Sequence, residues 1–121
     1  IAPISIIVAS NPLCGPCGHA HQTLEKLQQR YADELKIIIR FLPDKKMDSK
    51  KNLIIRHLLS ISKSGDCSKA LADWYQNPNY DAWAKKYPVS QILDYEDLIP
   101  ILDWANHQAI QLTPTVFIEG K

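Results

Sequence analysis

The first part of the chain contains two short runs of apolar residues, separated by a segment with helical spacing. The runs cover Ile4–Ala9 and Leu35–Leu42, and Asn11-Pro12 and Pro43 end them. Continuous β-branched runs of this length are typical of strands buried on both faces, as in a parallel sheet. Between them, apolar residues recur on one helical face, namely Cys17, Ala20, Leu24, Leu27 and Tyr31. The pattern therefore predicts a strand–helix–strand unit.

A long helical stretch follows the second strand. Amphipathic segments begin near residues 52, 68, 80 and 95, and we predict that they form a helical insertion of about 49–110. The segment "TPTVFIEG" then predicts a third strand, with Gly120 where a hairpin turn would begin. These elements predict an α/β fold. A length of 121 residues with 45% hydrophobic composition fits a single domain, 1–121, with its own core.

Charge and hydropathy argue against nucleic-acid binding and against a membrane-spanning helix. Fourteen basic and thirteen acidic residues give a net charge of +1, without the basic surplus that nucleic-acid binding needs. No apolar run approaches the roughly 20 residues of a membrane-spanning helix. The apolar start "IAPISIIVAS" has neither the basic leader nor the cleavage pattern of a signal peptide. We therefore expect neither a nucleic-acid partner nor a membrane span in this chain.

The chemistry of the chain centres on its cysteines. Cys14 and Cys17 enclose Gly15 and Pro16 in "CGPC", where the first strand has ended and the helix begins. The unpaired N–H groups and positive dipole of a helix N-terminus favour a thiolate at Cys14. Pro16 is tolerated in a first helical turn. Cys17 continues the buried stripe at a spacing that a disulfide can bridge, so an activated nucleophile with a shielded resolving partner is predicted.

Two other interpretations of the cysteine pair remain open at this point. Zinc would need further ligands; His21 lies one turn beyond Cys17 and could reach, but there is no second CxxC. The pair could also be inert core thiols. Cys67 stands alone after Gly65, where a helix is expected to start, and this placement favours a structural role.

The motifs of the chain resemble those of the thioredoxin superfamily. "CGPC" opens a helix after a buried strand, and "TPT" at 113–115 is similar to the second signature of that family. The resemblance implies that Cys14 is the nucleophile, Cys17 the resolving cysteine and Pro114 a cis-proline. It also implies that the backbone of Thr113 pairs with the substrate peptide. A helical insertion before the last strand is typical of DsbA-like oxidoreductases, and "NPLCGPCGHAH" with "LTPTVFIEGK" resembles bacterial thioredoxin-like domains joined to a membrane vitamin K epoxide reductase-type domain.

The departures from thioredoxin concern function and the end of the fold. Val8 stands where thioredoxin has a buried aspartate, and Leu13 stands where it has a tryptophan. A thioredoxin fold also continues with a second hairpin strand and a closing helix. These are missing from the chain, and we expect them to belong to the natural protein.

The resemblance implies a thiol–disulfide oxidoreductase without metal or other cofactor, acting on proteins with cysteines outside the cytoplasm, as in the periplasm, in disulfide formation or isomerisation. A vitamin K epoxide reductase-type membrane domain is the expected redox partner. His21 is a candidate for tuning the thiolate. Two alternatives remain: a thioredoxin-type reductant, and a redox-inactive module of the same fold that binds a peptide or a metal.

Overall fold

The computed structural model describes residues 4–65, 67–108, 110 and 113–118. The predicted strand–helix–strand unit is present as β1 (Ile4–Ser10), α1 (Gly15–Arg30) and β2 (Leu35–Phe41). The insertion contains α2 (Lys50–Ser64), α3 (Ser68–Gln76), α4 (Tyr80–Lys86), a short 3₁₀ helix (Tyr95–Leu98) and α5 (Ile99–His107), and β3 (Thr115–Ile118) follows. The predicted turn at Gly120 and the predicted further strand and helix lie outside the described residues.

The three strands form one mixed sheet in the order β2–β1–β3. β1 and β2 are parallel, with Ile6 opposite Ile37, and β3 runs antiparallel to β1, with Ile118 on the other side of Ile6. A parallel pair needs a crossover between its strands, and α1 provides it. β1 is therefore central, with β2 and β3 on either side, and the chain runs from its carboxyl end into the start of α1, where the cysteines lie. The mixed α/β fold predicted from the hydrophobic pattern is therefore confirmed.

The strands are less buried than their continuous apolar runs predict. Val8 and Ala9 are buried in β1, but Ile4 is 54% exposed, and Phe41 is the buried residue of β2. Val116 and Ile118 of β3 are also about half exposed. The prediction of strands buried on both faces was wrong for these ends. Within the described residues, the part of the sheet that is covered lies around the carboxyl-terminal half of β1.

The main hydrophobic core lies in the helical insertion rather than at the centre of the sheet. Its buried members are Phe41 of β2 and eight residues of the insertion: Ile54, Ile55, Leu58, Ala70, Leu71, Trp74, Trp83 and Leu98. Buried His57 ties the insertion together, since its two ring nitrogens hydrogen-bond to Tyr80 Oη at 2.9 Å and to Tyr87 O at 2.7 Å. None of the described helices is long and apolar enough to cross a membrane.

Candidate active site

The loop from β1 to α1 places Cys14 at the N-cap of the helix. The Asn11 side chain accepts a hydrogen bond from Leu13 N at 2.9 Å, and its carbonyl accepts one from Cys14 N at 3.1 Å. Cys14 Sγ in turn accepts the Cys17 N–H at 3.2 Å, which satisfies one of the free donors of the first turn. Pro16 lies in that turn, which also lacks acidic residues. The Cys14 sulfur therefore lies at the positive end of the α1 dipole and in contact with one of its free N–H groups.

Cys17 is the shielded member of the pair. Its side chain is 1% exposed, whereas Cys14 is half-buried. Burial raises the pKa of the Cys17 thiol, and the neighbouring Cys14 raises it further, while the nearby polar groups of Thr113, Asn11 and Ser10 act in the opposite direction. One accessible and one protected sulfur thus lie one turn apart.

The "TPT" segment lies against the cysteine pair. The Thr113–Pro114 peptide bond is cis, as the resemblance implies. The thiol of Cys14 donates a weak hydrogen bond to Thr113 O, with 3.8 Å between the sulfur and the oxygen. The structure therefore brings together two motifs that are 99 positions apart in sequence.

Tyr75 of α3 is a member of this site that sequence reasoning missed. Its hydroxyl donates to Asn11 O at 3.3 Å and lies 3.1 Å from Ser10 Oγ. Burial raises the pKa of Tyr75 to about 12; the hydrogen bond with Ser10 lowers it, and the two cysteines nearby raise it. Its ring packs on Gly18, where a Cβ would lie 3.1 Å from Tyr75 Cδ1. No local signal marks Tyr75, because its role depends on how α3 packs on α1.

The helical insertion also holds the backbone of the active-site loop. Trp74 is fully buried, and its indole Nε1–H donates to Pro12 O at 2.6 Å. The tryptophans Trp74 and Trp83 are core residues, and their rings meet edge to face with centroids 5.5 Å apart. Trp74 therefore fixes the position of the loop two residues before Cys14.

A groove of about 410 Å³ opens beside Cys14. Leu13 on its rim is 53% exposed. The groove lies between the start of α1 and the end of α3, and its lining residues are Pro12, Leu13, Cys14, Gly15, Gly18, His19, Gln22, Tyr75 and Pro78. The sulfur of Cys14 is thus reachable from an open, partly apolar surface.

His21 is buried on α1, where the groups beside its ring are Tyr75 and Glu25. Its ring lies 5.7 Å from the Tyr75 ring, and its Nε2 lies 3.4 Å from Glu25 Oε1. Burial lowers the pKa of His21, and Glu25 partly offsets this. A tuning role for His21 therefore stays a prediction. Among the described residues, no group of three or more His, Cys, Asp and Glu side chains could hold a metal ion.

Cys67 lies away from the pair, at the N-cap of α3. Its carbonyl accepts the Leu71 N–H at 2.9 Å, and its side chain is half-buried. The helix start predicted after Gly65 is therefore present.

Comparison with known proteins finds similar solved structures but no similar sequence family. No protein-family model and no curated protein matches the sequence. A periplasmic thioredoxin-like protein from Salmonella enterica serovar Typhimurium is similar in structure, with 18% identity over 98% of this chain and 74% of that one and a TM-score of 0.75.

Two further solved structures have the same architecture. The oxidoreductase DsbA from Xylella fastidiosa matches with 13% identity, the same coverages and a TM-score of 0.75. MdbA, a thiol-disulfide oxidoreductase from Corynebacterium diphtheriae, matches with 15% identity over 98% of this chain and 76% of that one, at a TM-score of 0.73. The chain therefore has the thioredoxin-like fold of DsbA-type thiol–disulfide oxidoreductases.

Proposed function

We propose that the protein is a thiol–disulfide oxidoreductase that exchanges a Cys14–Cys17 disulfide with cysteines of other proteins. The observation that carries this proposal is the asymmetry of the pair. Cys14 lies at a helix N-terminus beside an open groove, and Cys17, one turn later, is 1% exposed. Exchange through a mixed disulfide needs one sulfur that is accessible to the substrate and a second, protected sulfur that attacks the mixed disulfide intramolecularly.

The reaction follows from this arrangement in two steps. In the oxidised protein, a substrate thiolate attacks Cys14 Sγ; the new bond joins substrate and Cys14, and Cys17 leaves as a thiolate. A second substrate thiolate then attacks the first substrate sulfur, which forms the substrate disulfide and releases Cys14 as a thiolate. The reverse sequence reduces a substrate disulfide. The Cys17 N–H that bonds Cys14 Sγ at 3.2 Å stabilises the Cys14 thiolate in either direction.

Substrate proteins dock at the groove and at the cis-proline loop. The exposed apolar surface of Leu13 and the groove wall formed with Tyr75 and Pro78 suit an unfolded or extended segment around a cysteine. The contact between Cys14 Sγ and Thr113 O supports a role for the backbone of Thr113 in pairing with such a segment. Thr113 and Pro114 are therefore the proposed substrate-binding residues, with Gly15 and Pro16 shaping the turn.

The proposed setting is extracytoplasmic, with an oxidising or isomerising direction. Support comes from the helical insertion, from Val8 in place of a buried aspartate, and from the similar Salmonella protein, which is described as periplasmic. A vitamin K epoxide reductase-type membrane domain is the proposed partner that reoxidises the pair.

The test is the trapping of mixed disulfides. Cys17→Ser removes the resolving sulfur, so substrates attached to Cys14 accumulate as adducts that are visible on non-reducing gels and disappear with reductant. Cys14→Ser traps no adduct, and Cys67→Ser behaves like the unmodified protein. If a folded Cys17→Ser variant gives no more adducts than Cys14→Ser, the enzyme proposal fails and the redox-inactive binding module takes its place.

A further inference from the structure

The groove beside Cys14 is a surface distinct from the cis-proline loop. It has a volume of about 410 Å³ and runs along the seam between the start of α1 and the end of α3. Cys14 is one of its lining residues, whereas Thr113 and Pro114 are not among the described residues that line it. A substrate whose sulfur is bonded to Cys14 therefore lies against this groove as well as beside the cis-proline loop.

The groove is lined by side chains without a permanent charge. Besides Cys14 and two glycines, the side chains that form it are those of Pro12, Leu13, His19, Gln22, Tyr75 and Pro78. Within the described part of the chain, no Asp, Glu, Lys or Arg lines it. A charged group loses water on entering such a site and gains no partner of opposite charge, which is costly. The groove therefore favours an uncharged, apolar occupant.

Both walls of the groove are held in place by α3. The buried Trp74 indole donates from Nε1–H to Pro12 O at 2.6 Å and so fixes the loop that forms one wall. The Tyr75 hydroxyl donates to Asn11 O at 3.3 Å, and its ring packs on Gly18, where a Cβ would lie 3.1 Å from Tyr75 Cδ1. The groove is thus formed before a substrate arrives, so binding there requires little ordering of the protein.

The groove becomes polar farther along α1. Gln22 and Tyr75 also line a second hollow of about 260 Å³, so the two hollows adjoin. The second hollow is lined by charged residues as well, among them Glu25 and Lys26. The uncharged part extends along α1 from Cys14 to Gln22, which is about 12 Å at 1.5 Å per residue. It can therefore accommodate an extended segment of about three or four residues.

A mixed disulfide places the neighbours of the substrate cysteine within reach of this groove. The Cα atoms of two bonded cysteines lie about 5.5–6 Å apart, and the next Cα along the substrate is about 3.8 Å farther on. Both neighbours of a cysteine bonded to Cys14 are therefore within roughly 10 Å of the Cys14 Cα, a distance shorter than the uncharged part of the groove.

We propose that the groove formed by Leu13, Tyr75 and Pro78 selects substrates in which a bulky apolar side chain, such as that of leucine or phenylalanine, adjoins the reactive cysteine. The preference rests on the proposed function, since it acts on the segment whose sulfur bonds to Cys14. A leucine or phenylalanine in the groove removes apolar surface from water on both partners, which stabilises the complex. Glycine leaves the groove empty, and aspartate brings a charge that nothing in its lining pairs.

The test measures how fast Cys14 bonds to peptides that differ only beside their cysteine. The protein carries Cys17→Ser and Cys67→Ser, so that Cys14 is its one cysteine. Each peptide cysteine carries a thionitrobenzoate group, and the residue before or after it is Gly, Asp, Leu or Phe. The Cys14 thiolate attacks the peptide sulfur, the bond to thionitrobenzoate breaks, and the coloured thiolate leaves. Its absorbance gives the rate, and mass spectrometry confirms the peptide adduct on Cys14.

Each rate is divided by the rate of mercaptoethanol with the same peptide, which removes differences in the reactivity of the peptides themselves. The proposal predicts that Leu and Phe peptides react roughly tenfold faster than Gly and Asp peptides for at least one of the two positions. Leu13→Gln makes the rim of the groove polar and lowers this ratio to about twofold. Pro78→Ser, on the other wall, lowers it as well. The matched control is Leu27→Gln, which changes another exposed leucine outside the groove and keeps the parent's ratio.

Three results overturn the proposal. One is an equal normalised rate for all peptides with the parent protein. Another is the parent's ratio in both Leu13→Gln and Pro78→Ser, with their fold confirmed by circular dichroism. The third is the same loss of preference in Leu27→Gln, which indicates general loosening of the fold. Adducts that form without preference remove only the selectivity, whereas a Cys14 that forms no adduct with any peptide removes the proposed function together with it.

Discussion

Trp74 connects the core of the insertion to the active-site loop, and its replacement by phenylalanine tests that connection. The indole is fully buried, and its Nε1–H donates to Pro12 O at 2.6 Å. Trp74→Phe removes this donor and leaves the carbonyl unsatisfied in a buried position, which costs about 1–3 kcal/mol. The smaller ring also leaves a cavity, at a further cost of about 1 kcal/mol. We expect the free energy of unfolding to fall by about 2–4 kcal/mol.

Equilibrium unfolding in urea, followed by circular dichroism, measures this loss. Trp83→Phe is the matched control, because Trp83 is 4% exposed and its indole donates to Ala70 O at 2.8 Å, inside the insertion. Both variants lose a similar amount of stability, but only Trp74→Phe slows the alkylation of Cys14 under native conditions. Only this variant frees the loop that holds Cys14 at the N-terminus of α1, where its thiolate is stabilised. A loss of stability below about 0.5 kcal/mol in Trp74→Phe, or equal alkylation rates in the two variants, would refute the reasoning.

Three further predictions concern single residues. The side-chain amide of Asn52 donates to three backbone carbonyls, and Asn52→Asp replaces it with a group that only accepts. The free energy of unfolding in urea should therefore fall by about 2–4 kcal/mol and recover partly at acid pH. An unchanged free energy of unfolding would contradict this prediction. The pKa of His21 is held below its ordinary 6.5, so its contribution to stability is full above pH 6.5 and is lost as the pH falls through the lower folded-state value. His21→Asn should flatten the unfolding free energy over that range, and an unchanged slope would refute this. Gly18→Leu meets Tyr75 and destabilises by about 1–3 kcal/mol, whereas Gly15→Leu, with nothing within 4 Å, should show no such loss in the same assay.

The sequence predicts the helices and strands of this protein better than the contacts between them. The βαβ unit and the helical insertion follow from local hydrophobic periods, and the placement of Cys14 and Pro16 in the first turn of α1 follows from helix-end chemistry. The proximity of Thr113 to Cys14 comes from a resemblance, because nothing local relates positions so distant in sequence.

The interactions that sequence reasoning missed all depend on tertiary packing. Ser10 and Tyr75 meet only because α3 packs on α1, and residues 65 positions apart carry no pattern that would reveal it. His57, which has no role in the hydrophobic pattern, is buried among polar partners from α4 and its end. The exposure of Ile4 was missed for a related reason, since a run of apolar residues predicts a strand but not which of its ends is covered.

The reduction equilibrium of the Cys14–Cys17 pair tests the central claim most directly. The protein is equilibrated with glutathione buffers of graded redox ratio, quenched in acid and alkylated, and the modified cysteines are located by mass spectrometry. We predict that Cys14 and Cys17 become protected together, as one two-electron couple, with a potential above the roughly −270 mV of thioredoxin and toward the roughly −120 mV of DsbA. Alkylation of both cysteines at every ratio would contradict the account, because the pair would then form no reversible disulfide.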